Sequence, residues 1–193
     1  MKQFLESSNL LQTITVEAEK NSDEANALVA GLSEAQLNWT SAPDRWNIAQ
    51  CLDHLAATSK AFEPYFATAI KRGREKWPTP APVTYRPSWV GGWLIKQVVP
   101  EATRKVPAPK VFRPSQSPII ENSLEKFLNQ QDEFLGFVRA AEGLDYNKTK
   151  LRSPVTPLMR YSLGDAFVVT VVHGWRHLAQ ARRMRETQGF PTN

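Results

Sequence analysis

The chain has 193 residues, 41% of them apolar, and a formal net charge of +5. That apolar share supports a packed core and excludes a disordered chain, and the length suits one domain, residues 1–193, carrying a sizeable insertion. No run approaches the ~20 consecutive apolar residues that a membrane-spanning helix needs. Glu6 stands where a signal peptide would be apolar, and the single cysteine, Cys51, excludes an internal disulfide, so a cytoplasmic protein is expected.

Residues 3–30 read as a first long helix, with Leu10, Leu11, Ile14, Ala18, Ala25, Leu28 and Val29 at helical spacing and Gly31 as its stop. After a linker, Asn47 is a suitable N-cap for a second helix running to about residue 71. Its inner stripe comprises Cys51, His54, Leu55, Thr58, Ala61, Phe62 and Tyr65. Pro64 within that pattern predicts a kink or a weakened turn, because it lacks an N–H and crowds the preceding turn.

Residues 72–116 differ in character and hold eight of the 14 prolines. From residue 71 to 116, ten Lys and Arg face only Glu75 and Glu101, a local charge of +8 against −3 for the rest of the chain. Such an excess suits either an anionic partner or simply a solvated basic loop. No nucleic-acid-binding signature accompanies it. A short helix fits around Trp89–Val98, and the stretch is long enough to return along a bundle, letting the helices on either side point the same way.

A third helix is expected from Ser117, with Pro118 at its first position, to Gly143. A fourth opens at Ser162-Leu-Gly-Asp165, whose spacing fits a capping box with Asp at the third position. Its stripe includes Leu163, Phe167, Thr170, His173, His177, Leu178, Ala181 and Met184, and Arg182, Arg183 and Arg185 suit its C-terminal dipole. Four helices with almost no strand signal make an all-α bundle.

The chain's three histidines, His54, His173 and His177, all fall on apolar helix faces. His173 and His177, four residues apart, leave one face a turn apart, which lets two imidazoles chelate one metal. If the second and fourth helices pack together, His54 joins them. Buried imidazoles need partners for both nitrogens, and a shared ion supplies one to each ring. Taken singly, each of these histidines is also consistent with an ordinary core residue; their coincidence points to metal.

The segments DRWNIAQCLDHLAATSKAFEPYF and SLGDAFVVTVVHGWRHLAQARRMRE resemble the two histidine-bearing helices of the DinB-like superfamily, named for damage-inducible bacterial proteins. The resemblance covers most of the chain, residues 72–116 least. It implies a four-helix bundle connected up-down-down-up, one divalent ion (nickel, zinc or iron) on His54, His173 and His177, and a homodimer. Relatives include thiol transferases using low-molecular-weight thiols, and no substrate-specific motif matches here.

Three neutral imidazoles leave an ion with an open position, the catalytic arrangement. A metal-dependent enzyme, a thiol transferase or hydrolase acting on a small molecule, is the first reading. A non-catalytic stress-response or binding module, its metal only tying two helices, is the second. No residue is assigned as catalytic. Cys51 is a conceivable fourth ligand or a small core residue; Trp39, Trp46, Tyr65 and Trp175 line a pocket or fill the core; and Arg176 suits a solvated helix face. Arg104, Lys105, Lys110, Phe112 and Arg113 are expected at the rim of the metal site.

Overall fold

The computed structural model describes residues 1–79, 83–101, 107–117, 119–156 and 158–192. Arg104, Lys105 and Pro118 of the sequence reading lie outside these. Among the described residues the chain is helical apart from one small ribbon and an isolated bridge between Pro78 and Leu144, and no helix is long and apolar enough to cross a membrane.

The first expected helix is broken. A four-residue turn, α1 (Lys2–Leu5), precedes α2 (Leu10–Val29). The polar run Ser7-Ser8-Asn9 starts the second piece: Asn9 accepts from Gln12 N–H, and Ser7 Oγ accepts from Asn9 N–H while bonding Thr13 Oγ1. Such residues offer the backbone local partners that compete with helix continuation. A single turn, α3 (Glu34–Leu37), follows in the linker.

α4 (Ile48–Lys76) begins at Asn47 with a capping box to Gln50, and runs past both Pro64 and the expected end at 71. α5 (Trp89–Val98) lies where the sequence places it, capped by Ser88, and packs on the last long helix. Trp89 and Trp93 stand out from it, 88% and 50% exposed.

The third long helix, α6 (Ser123–Ala140), starts six residues later than Ser117 and ends three before Gly143. The delay has a specific cause. Asn38 clamps the backbone of Ile120, accepting from its N–H at 2.9 Å and donating to its carbonyl at 3.4 Å. Those groups are thereby withdrawn from any helical ladder, and α6 begins only after Asn122 takes a left-handed conformation, φ 53°. The linker after α6 forms an antiparallel ribbon, β1 (Lys150–Arg152) with β2 (Arg160–Ser162), that the sequence reading lacked; its Leu151↔Tyr161 pair is buried. α7 (Leu163–Arg185) opens with the expected Ser162–Asp165 capping box.

Side-chain pairs give the directions of the long helices. Asn21 meets Val171, Glu24 meets Arg182 and Leu28 meets Arg185, so α2 and α7 run parallel. His54 meets His173 while Phe66 meets Phe167, so α4 and α7 run antiparallel. Phe66 meets Phe134 and Arg74 meets Ala140, so α4 and α6 run parallel, and the chain between them must travel back along the bundle.

The α2–α7 contact is close at Gly174. A methyl group there would sit 2.3 Å from Nδ2 of Asn21, which is buried and donates to Val171 O at 3.1 Å. Gly174→Ala gains about 1 kcal/mol of helix propensity but overpacks a tethered amide, a change that costs about 1–3 kcal/mol. The expected result is a net loss of stability in thermal denaturation. A variant melting at or above the wild-type temperature would show that the two helices can separate freely at this point.

Candidate metal centre

The capping box at Asn47 sets the start of α4 and so puts His54 in its second turn, and the box at Ser162 sets the start of α7, which carries His173 and His177 further along. Antiparallel packing then brings the three rings together. Their centroids lie 4.5–5.0 Å apart, and one nitrogen from each ring lies within 4.8 Å of the others. His54 and His177 are buried and His173 half-buried. No cysteine or carboxylate among the described residues joins the cluster.

The hydrogen bonding of His54 determines its tautomer. Its Nδ1 lies 2.5 Å from the carbonyl oxygen of Phe112. A carbonyl can only accept, so Nδ1 carries the proton and Nε2 keeps its lone pair. That Nε2 faces Nε2 of His173 at 3.2 Å. Two nitrogens each about 2.0–2.1 Å from a tetrahedral ion stand about 3.3 Å apart. The pair therefore has the spacing of two ligands to one ion. At that distance the two can also share a hydrogen bond, but Nδ1 of His177 is buried with no such partner and is left for a further group. The three residues fit a divalent cation.

Electrostatics agree. Burial lowers the pKa of His54, with the Phe112 carbonyl and Asp53 opposing. Burial also holds His173 and His177 well below their ordinary value, reinforced for His173 by His54 and Arg176 and for His177 by His173, His54 and Arg176. The imidazoles are thus neutral, the state that ligates metal.

Trp46 closes one side, its ring 4.7 Å from that of His54 and 5.6 Å from that of His177. Of the other aromatics, Trp39 packs on Phe190, Trp175 on Phe4, and Tyr65 against the main core. Cys51 is a core residue beside Ile48, Leu52 and Leu55, and burial pushes its thiol up to about 12. Arg176 is half-buried, and its Nη1 donates to Val99 O at 2.9 Å. Lys110–Phe112 form a single 3-10 turn that lies on α4, and Lys110 and Arg113 are exposed beside it. Beyond His173, between α4, α6 and α7, a cavity of about 20 Å³ is lined by Thr58, Ser59, Gln131 and Thr170 among others; that is room for one water.

Residues 17–181 match the family model described as the DinB superfamily. The chain belongs to the DinB superfamily. No curated protein and no solved structure matches it. The matched span takes in all three histidines of this DinB chain, its crossover and Trp46. The sequence named Phe112 and Trp46 as candidates for the rim and for a pocket wall or the core, but not how each meets the histidines. The Phe112 contact is made by a backbone carbonyl, and the Trp46 ring reaches the histidines from just outside the helix.

Proposed function

We propose that this DinB-superfamily protein holds one divalent ion, nickel, zinc or iron, on His54, His173 and His177, and is a metal-dependent enzyme of the thiol transferase or hydrolase type acting on a small molecule. The observation that carries the reading is the donor set: three neutral imidazoles with no thiolate or carboxylate among them. An ion on three such ligands retains its full charge and an incomplete coordination sphere. The chemistry it supplies is Lewis acidity, which holds a thiol as its thiolate near neutral pH. The chain's own groups do the rest. Phe112 O orients His54, burial keeps the rings unprotonated, and Trp46 shields two of them from water. Imidazole suits all three metals, so the donor set does not choose among them.

A second reading, a non-catalytic module whose metal ties α4 to α7, draws support from the cavity at His173, which has room for a water but not for a substrate. Elemental analysis of protein purified without chelators, followed by assays of low-molecular-weight thiol conjugation to an electrophile, separates the two. One equivalent of metal with metal-dependent conjugation or hydrolysis is expected. Stoichiometric metal with no activity towards thiol or ester substrates would favour the module; absence of metal would remove both. A homodimer in the cytoplasm belongs to the same proposal, and sedimentation velocity tests the dimer.

A further inference from the structure

The crossover is held against the histidines at three points, and each involves a histidine or the residue next to one. Arg176, preceding His177, donates to Val99 O at 2.9 Å. His54 Nδ1–H donates to Phe112 O at 2.5 Å. Asp53, preceding His54, accepts from Ser115 N–H through Oδ2 at 2.7 Å. The Phe112 ring also stacks on Phe62 of α4, centroids 6.0 Å apart and planes 17° from parallel.

We propose that residues 110–115 are a working part of the metal centre: docked on α4, they select the His54 tautomer that can ligate, so that metal loading and docking of this segment stabilise each other. The inference rests on the metal reading above and adds residues to it. Free neutral imidazole exchanges between two tautomers, and the one with its proton on Nε2 has no lone pair to offer towards His173. The Phe112 carbonyl removes that alternative. In the other direction, a cation drawing electron density from Nε2 makes Nδ1–H a stronger donor and tightens its bond to the carbonyl. Coupling between two binding events is reciprocal, so whatever docking contributes to metal affinity, metal contributes to docking. Asp53 is a positioning residue here: it holds Ser115, three residues beyond the carbonyl, and does not join the cluster.

Trypsin reads the docking directly, because Lys110 is exposed within the segment whereas the Arg113–Pro114 bond resists cleavage. Zinc is the probe, added to the metal-free full chain, with cleavage after exposed Lys148 in the second linker as the internal reference. Zinc is expected to slow cleavage after Lys110 about tenfold or more relative to Lys148. Asp53→Ala should weaken zinc binding about 10–100-fold, the usual range for an outer-shell partner, and restore cleavage. Asp53→Asn, which keeps an oxygen to accept from Ser115, should behave as wild type. Nitrogen-15 shifts of His54 in the zinc-loaded protein should report a proton on Nδ1. Stoichiometric zinc in the wild-type protein without selective protection at Lys110 overturns the coupling and leaves the metal reading intact. So does an Asp53→Ala protein that binds zinc as tightly as wild type. No zinc bound to the wild-type chain overturns the metal reading and this inference together.

Discussion

His177→Ala is expected to abolish stoichiometric metal binding while leaving the helical content in place. Three imidazoles converge on one point and no other cysteine, histidine or carboxylate among the described residues stands ready to replace one of them. Loss of a direct ligand should therefore weaken binding beyond the 10–100-fold that outer-shell changes cost. The fold has little to lose by comparison. Nδ1 of His177 makes no hydrogen bond, and Gln180, whose side chain bonds to the ring, is only half-buried. Alanine is also the best helix former, and the flanking stripe of Leu178, Ala181 and Met184 still packs. Mass spectrometry of the native protein checks the metal, and circular dichroism checks the helix. Full occupancy in the variant would mean that the ion is held elsewhere. Loss of helix together with metal would mean that the ion, not the apolar stripes, holds α4 and α7 together.

The largest loss of stability is expected from a residue that sequence alone identifies only as a cap. Asp165 is fully buried and ties the end of β2 and the segment entering α5 to the start of α7 through one carboxylate. It accepts from Ser162 N–H at 3.0 Å as part of the capping box, from Tyr85 OH at 2.8 Å, and from Ser88 N–H at 3.2 and 3.3 Å through its two oxygens. Gly91 of α5 comes so close that a methyl group there would lie 2.0 Å from the carboxylate carbon. Burial and the neighbouring carboxylate drive the Tyr85 pKa far above its ordinary value, so that hydroxyl remains a donor at any physiological pH. Asp165→Ala strands two buried donors, Ser162 N–H and Tyr85 OH, each costing about 1–3 kcal/mol when unsatisfied, and the part-buried Ser88 N–H besides. A total of about 3–5 kcal/mol is expected, a large fraction of the roughly 5–15 kcal/mol that holds a domain folded. Asp165→Asn should lose less, because its one oxygen still accepts. Urea denaturation followed by circular dichroism measures the loss. A change below about 1 kcal/mol for Asp165→Ala, the size of an ordinary substitution, would show that water replaces the carboxylate and that the docking of α5 does not depend on it.

What the sequence by itself determined is local and periodic. The 3.6-residue repeat placed His173 and His177 on one inward face, and the N-cap at Asn47 and the box at Ser162 set where α4 and α7 begin. With only three histidines in the chain, all on apolar stripes, their convergence was legible before any coordinates. The Ser7-Ser8-Asn9 break was also written locally, although apolar periodicity on either side masked it. The tertiary structure decided what depends on partners far along the chain. Asn38 delays α6 by seizing the backbone of Ile120, 82 residues away. Phe112 orients His54 from 58 residues away, through a carbonyl that every residue type carries. Trp46, whose ring fits a core as well as a pocket wall, became a wall only once α4 and α7 were packed. The physical reason is common to these three cases. Helix starts and faces follow from contacts between residues three or four apart, where side-chain identity is decisive. Backbone polar groups must find partners wherever packing leaves them, and which partner they find is a property of the assembled bundle.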